Sequence, residues 1–584
     1  MAGPHRSISQ AERADARLLI HRQKEGSMSG TWKPLVNQPT FPASTMLLLT
    51  DGSVICQESG GKRWWRLWPD QHGDYVNGTW SPQADMLNSR LYYASAVLND
   101  GRVFVAGGEY SDAGSDTNKA EIFNPILDQW TSLSAPPGWN NIGDAPCVVL
   151  PDGRLLLGSI FDKRTAIYDP STNTWTAGPN KDDASSEETW TLLPDETVLS
   201  AECSAHPKTE KYVAAANQWV SAGSTPVDLV QASSIEIGPA LLLPDGRVFA
   251  TGASGHTAIY TPPNIANQPG TWTAGPDFPL DNNGKLMEAK DAPGCLMPNG
   301  NVLCVAGPAG EGGSFPGPMK FFEFDGSALQ TVPSPPNNGG PPYVGRMLLI
   351  PTGEVLFAAG GNQIFAYDPS GSPDPAWRPH ITSCPHHIEA GHSYTLYGRQ
   401  LNGLSQAVSY GDDATCATNY PLIRIRHQGT GKVTYCRTFN HSTMGVATGT
   451  SIQNTTFKVP FSAPHGHSEL VVIANGIPSN AWAVNVQPFH FWNFPNYEAF
   501  TRLIGSLADG PLWALGPHGP VPVDPWGPEF AKRAEQAYVQ LRSAVRTLYD
   551  IGNEVIDLRE KQEVGERLAP KKSAGGVRKK AKSA

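Results

Sequence analysis

Apolar positions in this chain come in pairs of short runs joined by a polar turn. The clearest pair is Ala240-Leu241-Leu242-Leu243-Pro244-Asp245-Gly246-Arg247-Val248-Phe249-Ala250-Thr251-Gly252. An Asp-Gly turn needs positive φ, which Asp and Gly tolerate, so the two runs predict a β-hairpin. The first run does not alternate apolar and polar residues, which predicts a strand buried on both faces.

The unit recurs, with turns at Asp51-Gly52, Asp100-Gly101, Asp152-Gly153, Asp195-Glu196, Asp245-Gly246, Asn299-Gly300 and Thr352-Gly353. The spacings are 49, 52, 43, 50, 54 and 53 residues. A third apolar run follows most hairpins, as in Ala166-Ile167-Tyr168. A fourth is usually opened by tryptophan: Trp80, Trp130, Trp175, Trp219 and Trp272. Four strands at a period near fifty residues predict the blades of a seven-bladed kelch-type β-propeller. Thr31-Trp32-Lys33-Pro34-Leu35 resembles a fourth strand without a blade, and is expected to pair with the last blade and close the ring.

These patterns divide the chain. Residues 1–30 form a lead-in and 31–377 the propeller. Residues 378–488 lose the period and read as short strands, which suits an immunoglobulin-like β-sandwich. Residues 489–527 are rich in aromatic residues and proline. In 528–570, Phe530, Ala534, Tyr538, Leu541, Val545, Leu548, Ile551, Val555 and Leu558 form one stripe, which predicts an amphipathic helix able to dock on this chain or join two copies. Residues 571–584 carry six basic and no acidic side chains, as in a solvated tail with at most weak contact to nucleic acid. The fold class is thus all-β: propeller, sandwich and a C-terminal helical extension.

Composition narrows the function. The 584 residues carry a net charge of −10, which opposes nucleic-acid binding by the body of the protein. The 59 glycines and 52 prolines suit a turn-rich β protein. Eight cysteines show no zinc spacing. Five, Cys56, Cys147, Cys203, Cys295 and Cys304, fall in or beside inner strands and read as small buried hydrophobes. Cys384, Cys416 and Cys436 leave one disulfide open. Neither a signal-peptide core nor an apolar run of membrane-spanning length is seen, so a soluble cytoplasmic protein is expected.

A kelch propeller followed by an immunoglobulin-like domain resembles the galactose oxidase and glyoxal oxidase family of copper-radical enzymes. Ser89-Arg90-Leu91-Tyr92-Tyr93-Ala94-Ser95-Ala96, followed by Asp100-Gly101-Arg102, is similar to the segment carrying the family's radical tyrosine. The resemblance implies that Tyr92 is that tyrosine. It places Tyr110, after Gly107-Gly108-Glu109, at the stacking aromatic, and Tyr343 at the second tyrosine. Phe439-Asn440-His441-Ser442-Thr443 is similar to the segment giving the last copper histidine, which implies His441. Two departures stand out: Val344 replaces a copper histidine, and no cysteine lies near Thr40-Phe41-Pro42 to cross-link the radical tyrosine. Copper(II) prefers several imidazole donors, and valine cannot coordinate.

The positions just before the inner strands hold Ala43, Tyr92, Asp144, Glu187, Ile237, Asp291 and Val344, with Glu188 and Glu236 close by. Carboxylates beside a packed core cost several kcal/mol unless paired or solvated, so these acids are read either as an acidic channel mouth or as acceptors for neighbouring backbone. The first reading is a binding or scaffolding propeller that has lost copper chemistry. Its mouth is lined by Tyr92, Tyr93, Tyr110, Asp144, Glu187, Glu188, Glu236, Asp291 and Tyr343, for a carbohydrate, a small polar ligand or a protein. The second is a divergent oxidase that uses Tyr92, Tyr343 and His441 with copper or another divalent cation. The third is an assembly component that acts through its C-terminal helix as a homo-oligomer.

Overall fold

The computed structural model describes residues 30–488, apart from 113, 311–312 and 412–414, together with 515–516 and 519–520. The lead-in, the C-terminal helix, the basic tail and most of the aromatic segment therefore lie outside the described residues. The chain divides into two units, Met1–Phe489 and His490–Ala584. In the second, Leu515–Gly516 pairs with Gly519–Pro520.

Seven antiparallel sheets of four strands, one of them extended by a fifth, make up most of the first unit. Their first strands are Ala43–Leu48, Ala94–Val97, Cys147–Val149, Trp190–Leu192, Ala240–Leu242, Gly294–Leu296 and Arg346–Leu349, and every residue in them is buried. Each first strand touches the next around a closed ring, from the last back to the first. A strand with a blade on either side has no face for water, which explains the unbroken apolar runs.

The ring is closed by the amino end. Thr31–Pro34 pairs antiparallel with Ile364–Asp368, with Trp32 opposite Tyr367. The Trp32 ring lies 4.8 Å from Tyr367, 5.1 Å from Phe321 and 5.8 Å from Phe357, centroid to centroid. Because Trp32 keeps part of its ring in water, Trp32→Ala is expected to cost roughly 2 kcal/mol, below the about 3–5 of a fully buried tryptophan. Equilibrium urea unfolding measures it, and a cost near zero would mean that the closing strand is not held by this ring.

The hairpin turns of the early blades carry the second domain. Gly52 has φ 78°, and a Cβ there would sit 2.5 Å from the Tyr435 ring, so glycine serves both the turn and the close approach. Backbone bonds join Thr438 N to Thr50 O at 3.1 Å, Asn440 N to Asn99 O at 3.0 Å and Met444 N to Pro151 O at 2.9 Å. In this domain, strands from His380–Ser383 to Trp482–Gln487 form one continuous nine-stranded sheet curled around Ile381, Leu396, Ile423, Phe457, Leu470 and Val486. The pairing is that of a half-barrel, where the sequence suggested a two-sheet immunoglobulin-like sandwich. All eight cysteines are buried, and none is in a disulfide. No helix among the described residues is long and apolar enough to cross a membrane.

One segment of the second domain leaves its sheet and enters the hub. Val408–Ser409 adds a fifth strand to the sixth blade, with Val408 opposite Cys295 and Ser409 opposite Gly294. Leu296 N donates to Ala407 O at 2.6 Å, Leu192 N to Gln406 Oε1 at 2.9 Å and Thr415 Oγ1 to Cys147 O at 3.1 Å. The segment thus supplies acceptors to the inner strands of the fourth and sixth blades and a donor to the third, which would otherwise face an open axis.

Candidate binding site at the mouth of the hub

The inner strands run from a mouth, at their first residues, to the turns that carry the second domain. At the mouth Tyr92, Glu187 and Asp291 stand just before three of these strands, with φ of 50°, 58° and 47°. Left-handed backbone costs a non-glycine residue about 1 kcal/mol or more. Its recurrence at equivalent places in three blades is a shared way of turning the chain into the inner strand.

One side of the mouth is aromatic. The Tyr92 ring lies 6.3 Å from Tyr110 and 6.4 Å from Tyr343, both edge-on. Phe315 packs 5.1 Å from Tyr343, on a loop whose Gly310 and Ser314 carbonyls accept from buried Lys290 at 3.3 Å. Tyr110 is 63% exposed, so this wall presents an open ring to solvent. Behind it Arg346, itself buried, donates to Tyr343 O at 2.7 Å and Gly345 O at 2.8 Å. Its guanidinium lies 5.6 Å from the Tyr92 ring and 3.9 Å from the Tyr410 ring, a cation–π arrangement. Tyr410 comes from the hub-threading segment and donates its hydroxyl to Tyr343 O at 2.6 Å. Tyr410→Phe is expected to cost about 1 kcal/mol, the net value of one hydrogen bond. A thermal melt that leaves the variant level with the parent would remove this brace from the account.

The other side is acidic. Oxygens of Glu187, Glu236 and Asp291 lie within 4.8 Å of one another. Asp291 is raised well above the usual carboxylate range by burial and then by Glu236 and Glu187, with Asp144 adding to it. Glu236 is raised by burial, against the lowering effect of its hydrogen bonding and of Lys290. Asp144 is buried nearby in the third blade. Gly411, the next residue of the hub segment, lies against this wall: a Cβ there would sit 3.0 Å from Asp291 Oδ1. The segment therefore touches both walls, which sequence reasoning missed because 405–418 carries neither the blade period nor a motif.

Three sequence-derived candidates leave the mouth. Tyr93 is buried and donates to Gln57 Oε1 at 2.7 Å, because alternation along the strand turns it away from Tyr92. Glu188 points behind the mouth, into an ion pair with Lys181 at 2.8 Å. His441 lies at the turn end, where its N–H donates to Asn99 Oδ1 at 2.8 Å and its Nδ1 meets Thr455 Oγ1 at 2.8 Å. From Tyr92 to Asn99 the chain runs the length of an inner strand, about 20 Å at ~3.3 Å per residue. His441 therefore does not join Tyr92 and Tyr343, correcting the ligand set that the resemblance implied. Burial, followed by the nearby Arg437, lowers its pKa to about 3, so it is a neutral imidazole at pH 7.

The donor set bears on copper. Among the described residues, the two groups of three close metal-ligating side chains, Glu187–Glu236–Asp291 and Asp183–Glu188–Glu202, are built of carboxylates alone. Such sets suit hard cations, whereas copper(II) favours imidazole nitrogen. With Val344 beside Tyr343 and His441 on the far side, the residues at the phenols do not fit the family's copper site.

Sequence comparisons agree with the kelch repeat. The Kelch motif model matches residues 90–137. Galactose oxidase of Gibberella zeae is 22% identical over 175 residues, 26% of this chain and 23% of that protein. Kelch-like protein terF of Aspergillus terreus is 30% identical over 124 residues, 19% of this chain and 27% of that protein. The chain therefore spans only about a quarter of the length of these curated relatives. A solved structure described as a novel fungal alcohol oxidase with catalytic diversity among the AA5 family, in complex with copper, overlays with a TM-score of 0.48 at 16% identity, covering 79% of this chain and 100% of that one.

Proposed function

Taking the chain as a galactose-oxidase-like kelch propeller, we propose that it is a binding module whose hub mouth takes a small polyhydroxylated or amine-bearing ligand, of the carbohydrate class. The observation that carries this reading is an aromatic wall, Tyr92, Tyr110 and Tyr343, open to solvent at Tyr110, at the same mouth as three carboxylates gathered within 4.8 Å. A sugar ring presents apolar C–H faces to aromatic rings and hydroxyl donors to carboxylates, so both walls find partners on one ligand. Hydroxyl or ammonium donors also relieve acids held above their usual range by burial and mutual repulsion.

Calorimetric titration of the full chain with a panel of mono-, oligo- and amino-saccharides tests the proposal. Tyr110→Ala is expected to weaken the best ligand about tenfold, some 1.4 kcal/mol, without lowering the melting temperature, because Tyr110 is largely in solvent. Absence of binding across the panel would overturn the reading, as would stoichiometric copper held at Tyr92 and Tyr343.

A further inference from the structure

Behind the mouth lies a second, enclosed group of charges. Lys181, Glu188, Glu202 and Glu210 are all buried. The Lys181 ammonium contacts Glu188 at 2.8 Å, Glu202 at 2.6 Å and Glu210 at 3.4 Å. Asp183 adds a fourth carboxylate, and an oxygen from each of Asp183, Glu188 and Glu202 lies within 4.8 Å of the others. Four acids thus surround one base.

The donors within reach are already committed. Glu188 takes the Ser200 hydroxyl at 2.8 Å and the Trp190 indole N–H at 3.2 Å. Glu210 takes the Asp182 N–H at 3.1 Å. After these, no donor reaches either oxygen of Asp183 or Oε2 of Glu202, all of them buried, and the Asp183 and Glu202 carboxyl groups stand within hydrogen-bond reach of each other. A buried carboxylate oxygen without a donor costs about 1–3 kcal/mol, more when charged. A ligand that supplies positive charge at that point removes the cost. A hard cation with oxygens at about 2.3–2.6 Å brings opposed ligand atoms about 5 Å apart, which accommodates this spacing.

We propose that Asp183, Glu188 and Glu202 hold a divalent, oxygen-seeking cation, Ca2+ or Mn2+, as a site separate from the hub mouth. Glu188 follows Glu187 of the mouth in sequence, and Cys203 Sγ reaches Glu187 O at 3.0 Å. A cation here would stiffen the backbone that presents Glu187.

The test uses full-length protein stripped of metal by chelation and dialysis. Mn2+ binding is followed by electron paramagnetic resonance, and melting temperature is followed with Ca2+, Mn2+ or excess EDTA. One tightly bound Mn2+ per chain and a melting temperature raised by either ion are expected. Asp183→Asn keeps an oxygen against the Glu202 carboxyl group and removes one of four crowded acids, so the fold is expected to survive. Its Mn2+ affinity should fall by more than about tenfold, the loss that follows removal of even an outer partner of a metal site. Glu202→Gln, which keeps an oxygen for Lys181, should do the same, while Asp291→Asn retains the site. Indifference of the parent to all three additions would overturn the proposal. So would unchanged Mn2+ binding in Asp183→Asn, or a loss confined to Asp291→Asn, which would move the ion to the mouth.

Discussion

Glu121→Ala is expected to lower stability by about 3–5 kcal/mol, the loss that follows when one partner of a buried ion pair is removed. Glu121 and Arg90 are both wholly buried and meet at 2.5 Å. Glu121 also accepts from Leu87 N at 2.7 Å, Asn88 N at 3.2 Å and Asn88 Nδ2 at 3.0 Å. Arg90 is anchored further by Gly107 O at 2.7 Å and Lys119 O at 2.8 Å. One carboxylate therefore ties down the loop that delivers Tyr92 to the mouth. Removing it strands the guanidinium charge and releases the backbone of 87–90. Glu121→Gln should be milder, because it keeps an oxygen for the loop N–H groups but loses the charge opposite Arg90. Urea unfolding gives the cost, and ligand titration should show weaker binding in the same variants. A loss of under about 1 kcal/mol in Glu121→Ala would mean that Arg90 finds water or another acceptor.

The second large effect has the opposite sign. Asp291→Asn is expected to stabilise the protein at neutral pH by about 1–3 kcal/mol, because it removes a carboxylate whose charge is opposed by burial and by Glu236 and Glu187. Folding raises the pKa of both Asp291 and Glu236. The folded state therefore binds more protons than the unfolded chain above the ordinary carboxylate range near about 4. Their contribution to stability is fully present below that range and is lost as pH rises towards the folded values. The parent should weaken steadily on that climb, and Asp291→Asn should flatten the slope while binding the mouth ligand less well. Unfolding free energies measured from acid to neutral pH decide the matter. A parent stability that rises over that interval would show the acids to be ionised and well paired.

Most of the ring was legible because blades obey local rules. An Asp-Gly turn between apolar runs is a short-range signal, and repetition multiplies it. Thr31–Pro34 was legible as a closing strand because a lone fourth strand needs a partner edge. Tyr92, Asp144, Glu187 and Asp291 were marked by their fixed distance before the inner strands, whereas Tyr110 and Tyr343 came only from the segment likeness. The rest depends on contacts between residues far apart in sequence. Tyr410 reaches Tyr343 only because the second domain threads the axis, and no periodicity in 405–418 announces it. Glu188 reads like its neighbour Glu187 until alternation sends the two to opposite sides and Lys181 captures one of them. His441 was assigned by a short segment likeness, which carries no information on which end of the axis the segment occupies.

The threaded segment also bears on how the protein can be divided. Blade seven is the natural place to cut, since the propeller sheets are complete by Asp368. A fragment ending there would keep every blade but leave the Leu192 and Leu296 amides facing an empty bore, and Tyr343 and Arg346 without the ring of Tyr410. The curled sheet, expressed alone, would carry residues 405–418 as a loop with nothing to grip. The two lobes are accordingly interdependent products of one synthesis, and mixing them after separate purification should not rebuild the mouth.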